Sequence, residues 1–164
     1  METNINPERV AERQMPQSLS NILVHIVFST KNREPFLSAA ELRADAQAYL
    51  GGVLRTLKSE PIKTGGVADH VHLLAALPRT LTVADLVKEV KRASTHWLQH
   101  DKGLPHFHWQ AGYGAFSVGL SEKSRIVNYI SSQVEHHQNV SFRDEYKGLL
   151  LEHGIEFDEQ YVWD

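Results

Sequence analysis

Hydrophobic residues crowd both faces of the first patterned stretch, Asn21 to Thr30 (NILVHIVFST). Ile22, Val24, Ile26 and Phe28 alternate with Leu23, His25 and Val27. That pattern predicts a strand set deep in a sheet. KNREPF follows as a loop. Ser38-Ala-Ala-Glu41 has the form of a capping box and opens a predicted helix that runs to about Leu57, with Leu42, Ala46, Tyr49, Val53 and Leu57 at helical spacing. Lys58-Ser59-Glu60-Pro61 ends it. Ile62 to Val67 and Val71 to Leu77 read as two strands joined tightly through Ala68-Asp69, hence a hairpin. Thr82 is the expected N-cap of the next helix, Val83 to about His100, whose apolar stripe is Val83, Leu86, Val87, Val90 and Trp97. Residues 107–110 and 115–118 read as short extended pieces around Gly112 and Gly114. Ser121 is expected to cap a helix from Glu122 to about His137, with Ile126, Val127, Ile130 and Val134 facing the core. A last helical stretch, Phe142 to His153, precedes an acidic tail ending at Asp164.

The order is strand, helix, strand, strand, helix, strand, helix. It predicts an α+β domain of the ferredoxin-like, split βαβ kind: an antiparallel sheet with helices packed on one face. Residues 1–17 are polar and read as a leader, and Met15 offers an alternative start just before the patterned sequence. Residues 18–164 read as a single domain.

Composition narrows the chemistry. The chain has 164 residues, 41% hydrophobic and 23% charged, which suits a folded globular protein. It has no cysteine, so disulfides, thiolate metal sites and cysteine nucleophiles are excluded. No apolar run approaches a membrane span, and the N-terminus lacks the apolar core of a signal peptide, so a cytoplasmic protein is expected. Seventeen Lys and Arg against 20 Asp and Glu give a net charge of −3. That argues against bulk electrostatic binding of duplex DNA but leaves room for a local patch assisted by a metal. Ten histidines are the unusual feature, and histidine serves both metal ligation and proton transfer. Nucleotide-cradling glycine motifs, HExxH and GxSxG are all absent.

Three constellations stand out. In Asp69-His70-Val71-His72 the two histidines are two apart on a predicted strand, so both imidazoles leave one face and can share a divalent cation. An ordinary pair of strand histidines is the plainer alternative. In Asn128-Tyr129-Ile130-Ser131-Ser132-Gln133, Tyr129 and Gln133 share a helix face beside the apolar stripe. The plainer alternative there is a tyrosine at the core margin with its hydroxyl in water. Glu135, His136 and His137 offer further donors or a solvated helix end. The third, His106 to Phe116, holds a second HxH, His106 and His108. It also holds Tyr113, a second tyrosine among glycines, and aromatics that could stack on bases or simply pack. A basic set, Lys31, Arg33, Lys88, Lys91 and Arg92, could rim a nucleic-acid site.

Together DHVHLL (69–74), WQAGYGAFSV (109–118) and NYISSQVEHH (128–137) resemble the single-tyrosine HUH transposases, with the motifs in that family's order. The resemblance implies a ferredoxin-like nuclease of the HUH type, usually a homodimer. It implies Mg²⁺ or Mn²⁺ held by His70, His72 and Gln133, with Tyr129 as nucleophile. It also implies single-stranded DNA with hairpin ends as substrate, cut and rejoined through a 5′-phosphotyrosine, in a bacterial or archaeal cell where the protein acts at the nucleoid. Two other readings compete: a non-catalytic domain that binds single-stranded nucleic acid, and a hydrolytic metal-dependent phosphodiesterase in which Tyr129 only packs.

Overall fold

A computed structural model describes residues 18–163. The expected leader, with Met15, and the final residue of the tail lie outside the described residues. Four strands form one antiparallel sheet in the order β2-β3-β1-β4: β1 Leu23–Ser29, β2 Pro61–Gly66, β3 His70–Ala76 and β4 Gly114–Val118. The two central strands, β1 and β3, run antiparallel with Val27 opposite His72 and Ser29 opposite His70. Helix α1 (Ala40–Thr56) joins β1 to β2, and α2 (Val83–His100) joins β3 to β4. This is the ferredoxin-like arrangement the sequence predicts.

Alternation along the strands sorts side chains to two faces. Val24, Ile26 and Phe28 of β1 and Val71, Leu73 and Ala75 of β3 point to one face. There they pack with Leu50 and Leu54 of α1 and Leu86, Val87, Val90 and Leu98 of α2. Leu23, Val27, Leu74 and Phe116 point to the other, together with His25, His70 and His72. Helices cover this second face as well. They are α3 (Lys123–Ser131), the single turn α4 (Gln133–His136) and α5 (Phe142–Glu152), which bring Ile126, Ile130, Phe142, Tyr146, Leu149 and Leu150 against it. The expected cover on one face is present in α1 and α2. The C-terminal helices add a second layer because β1 is apolar on both sides.

Several local expectations change. Thr82 caps α2, its hydroxyl accepting from the Asp85 backbone N–H. Ser38 does not cap α1. Its hydroxyl donates instead to the Pro35 carbonyl at 2.5 Å, and the helix starts one residue later from Ala39 with no side-chain cap. Ser121 lies inside a 3-10 turn, Leu120–Glu122, where the Glu122 carboxylate accepts from the Gly119 N–H. The predicted helix 122–137 is broken at Ser132, at φ −96° and ψ 14°, into α3 and α4. Val134, expected in the core, is exposed. Of residues 107–110, only Trp109 makes a bridge, to Thr30, while Phe107, Trp109 and Gln110 are buried.

Candidate active site and metal centre

The second sheet face carries three buried imidazoles in a row. His70 and His72 leave β3 on the same side, and His25 leaves β1 beside them. Each is anchored through one ring nitrogen. His70 Nδ1 is 2.7 Å from Asp69 Oδ1, and His72 Nδ1 shares a 2.9 Å hydrogen bond with His25 Nε2. A partner on one nitrogen fixes ring orientation and leaves the other nitrogen aimed outward. His72 Nε2 is buried with no hydrogen-bond partner, a costly state that an electron-pair acceptor such as a cation would relieve.

Helices α3, α4 and α5 bring the remaining groups over these nitrogens. Gln133, buried at the start of α4, turns its Oε1 to within 3.3 Å of His70 Nε2. Glu145 from α5 is the hub. Its Oε1 accepts from the Tyr129 hydroxyl and from Gln133 Nε2. Its Oε2 lies 2.7 Å from His137 Nε2, 3.3 Å from His70 Nε2 and 3.5 Å from His72 Nε2. One side chain from each of His70, His72, His137 and Glu145 supplies a donor atom within 4.8 Å of the other three.

Burial and pairing set the charges. Burial, and next the neighbouring His72, pull His25 down to about 3, so it is neutral. Burial also lowers His72. Burial opposes charge on His70, but hydrogen bonds to Asp69 and Glu145 prevail and lift it to about 9. Burial works to raise Glu145, yet hydrogen bonds from His137 and His70, with the His72 imidazole close by, hold it well below the usual carboxylate range. Burial, then the Glu145 charge, push the Tyr129 phenol well above its usual range. The site thus holds an ionised carboxylate, a protonated phenol and a buried imidazole nitrogen with no hydrogen-bond partner. The donor set and the unpartnered His72 Nε2 fit a divalent cation.

Residues 18–133 match the family model described as "Transposase IS200 like". The chain belongs to the IS200-like transposase family. It is accordingly a DNA transposase, acting in DNA recombination. Two curated IS200 transposases, from Salmonella typhimurium and Salmonella typhi, are each 27% identical over 134 residues, covering 76% of this chain and 84% of theirs. The fold matches a Deinococcus radiodurans protein assigned as a transposase, at a TM-score of 0.57 and 22% identity over 74% of this chain and 97% of that one. It also matches a REP-associated tyrosine transposase solved bound to a REP hairpin, at 0.56 and 18% over 78% and 75%.

Within this transposase, the four residues singled out by motif, Tyr129, Gln133, His70 and His72, meet at Glu145. The second HxH does not join them. His106 and His108 are exposed, and their neighbours Phe107 and Trp109 are buried instead. Tyr113 packs on the opposite core, under the Lys91 ammonium at 5.8 Å. Lys88, Lys91 and Arg92 sit on α2, across the sheet from the histidines. Lys88 pairs with Asp85 and Arg92 with Glu89, while Lys91 Nζ donates to the carbonyls of Gln110, Ala111 and Gly112. Lys31 and Arg33 lie on a 3-10 turn after β1. Arg33, with Arg43 and Arg143, lines a cleft of about 590 Å³ that also takes in Asp69 and His137.

Sequence reasoning missed Glu145 and His25. A signal existed for both. Glu145 falls on the apolar stripe of α5 (Phe142, Glu145, Tyr146, Leu149, Leu150), where a carboxylate needs partners to be buried. His25 interrupts the otherwise apolar run Leu23 to Phe28, which is buried on both faces.

Proposed function

We propose that this transposase cuts and rejoins single-stranded DNA with Tyr129 as nucleophile. A divalent cation, Mg²⁺ or Mn²⁺, is held at His70, His72 and Gln133. One observation carries the reading: the Tyr129 phenol and the two HUH imidazoles share the Glu145 carboxylate, one on each oxygen. A bound cation supplies charge for the phosphoryl oxygens and orients in-line displacement.

The phenol stays protonated at neutral pH beside an ionised Glu145. Its proton therefore leaves as the bond forms, and Glu145 Oε1 is the acceptor in reach. Attack by the Tyr129 oxygen forms an O–P bond and breaks the bond from phosphorus to the 3′ oxygen. The 3′ oxygen leaves as a free 3′-OH after taking up a proton, and the 5′ phosphate stays on Tyr129. Because the link is still a phosphodiester, a second 3′-OH can reverse the step without another energy source.

The substrate is single-stranded DNA with a hairpin end, by analogy with the REP-associated transposase and its hairpin. The cleft of Arg33, Arg43 and Arg143 beside Asp69 and His137 gives the phosphates a path to the site. That local cluster reconciles DNA binding with a net charge of −3. The protein works as a homodimer in the cytoplasm, on nucleoid DNA. Among the described residues no helix is long and apolar enough to cross a membrane.

Labelled single-stranded hairpin DNA with Mg²⁺ or Mn²⁺, run on a denaturing gel, tests the reading. A covalent protein–DNA band that disappears in Tyr129→Phe is the expected result. Cutting that survives Tyr129→Phe without such a band would mean hydrolysis. Gel retardation with no cutting would mean a binding module.

A further inference from the structure

Three imidazoles, not two, converge on the Glu145 carboxylate. His70, His72 and His137 each present Nε2 to Glu145 Oε2, at 3.3, 3.5 and 2.7 Å. Each has its Nδ1 already engaged: by Asp69 at 2.7 Å, by His25 at 2.9 Å and by the Val140 carbonyl at 2.6 Å. Anchoring one ring nitrogen while directing the other to a common point is how proteins prepare histidine ligands. The separations between the carboxylate oxygen and the imidazole nitrogens fit as well. Two donors held about 2.1 Å from one cation at right angles lie about 3 Å apart, which is close to the spacing seen here.

Resting on the metal reading above, we propose that Glu145 and His137 are themselves ligands. The centre then adds an imidazole and a carboxylate to His70, His72 and Gln133, and joins β3 to the C-terminal helices. Gln133, which donates to Glu145 Oε1 at 2.8 Å, then holds the carboxylate in place as well as facing His70. A set so rich in imidazole favours Mn²⁺ over Mg²⁺, since Mg²⁺ prefers oxygen ligands and water.

The test reads metal binding directly. Full-length protein stripped with EDTA is titrated with Mn²⁺, and free Mn²⁺ is followed by electron paramagnetic resonance. Glu145→Gln and His137→Gln should each raise the Kd by tenfold or more, and His72→Ala should abolish binding. Wild-type affinity in both Gln variants would overturn the proposal while leaving the His70–His72 site standing. Tighter binding in Glu145→Gln would also overturn it, by showing that the carboxylate fills the place of the ion. A wild type that binds no Mn²⁺, or His72→Ala that binds like wild type, would bring down the metal reading itself and this proposal with it. If circular dichroism shows Glu145→Gln unfolded, Glu145→Asp and His137→Gln carry the same expectation, and wild-type affinity in both would be the overturning result.

Discussion

The two nitrogens of His72 have different tasks, and His25 divides them. Its Nε2 meets His72 Nδ1 at 2.9 Å, leaving His72 Nε2 free. Replacing His25 by leucine leaves a buried ring nitrogen of His72 without a partner, at a cost of about 1–3 kcal/mol. It also releases the ring to rotate. His25→Leu should therefore lower the urea midpoint modestly and weaken Mn²⁺ binding about 10- to 100-fold. Asp69→Asn, at a partly exposed position, should cause a similar loss of Mn²⁺ affinity with little change in the midpoint. Wild-type metal affinity in both variants would show that neither residue orients a ligand. These partners also mark where reading the chain failed. His70 and His72 were legible because two-residue spacing on a strand is itself a geometric statement. Glu145 lies 73 positions beyond His72 in the chain, and no local spacing links a glutamate on one helix to a histidine on a distant strand. Its only local sign is its place on an apolar stripe.

At the scale of elements, the seating of the end of α3 on the sheet sets where Tyr129 and Gln133 stand over the histidines. The periodicity of residues 122–137 shows only one helix, since nothing in its apolar spacing marks Ser132 as a break. What lies beneath it is a glycine on the neighbouring strand. A Cβ at Gly65 would meet Ile130 Cγ2 at 2.5 Å and the Ile130 carbonyl oxygen at 2.7 Å. The backbone at the end of α3 thus rests directly on β2, with Tyr129 next to Ile130 and Gln133 just beyond. Gly65→Ala should force that helix end outward. We expect a loss of about 1–3 kcal/mol in urea unfolding, the usual range for overpacking. Tyr129-dependent cleavage should fall further than this destabilisation explains. Gly52, inside α1, is the contrasting case, because a Cβ there meets nothing within 4 Å. Gly52→Ala should add about 0.5–1 kcal/mol, as helix propensity dictates, and leave cleavage unchanged. If the two alanines behaved alike, close approach would not be what seats α3.

On the scale of the whole molecule, the sheet separates stability from chemistry. One face holds the larger apolar core under α1 and α2. The other is split between two smaller clusters, with the histidine row between them. The strand order followed from the succession of elements. The second layer of helices was foreshadowed only by the doubled hydrophobicity of β1. Burying ionisable groups between two clusters is costly for the fold without metal, and the proposed cation joining β3 to α5 would offset that cost only in the folded state. Mn²⁺ at about 100 times its Kd should stabilise the fold by about 2.7 kcal/mol. For a domain of this size that raises Tm by about 5–10 °C. Calorimetry with Mn²⁺, and again after EDTA, measures the difference. Tyr129→Phe should keep the shift because the hydroxyl it removes bonds to Glu145 and to no imidazole nitrogen, whereas His72→Ala should lose it. A shift retained in His72→Ala would place the stabilising ion elsewhere on the protein. A wild type indifferent to Mn²⁺ would mean that the buried cluster is held by hydrogen bonds alone. The unpartnered Nε2 of His72 makes that outcome the less economical one, because hydrogen bonding leaves it unsatisfied and a cation does not.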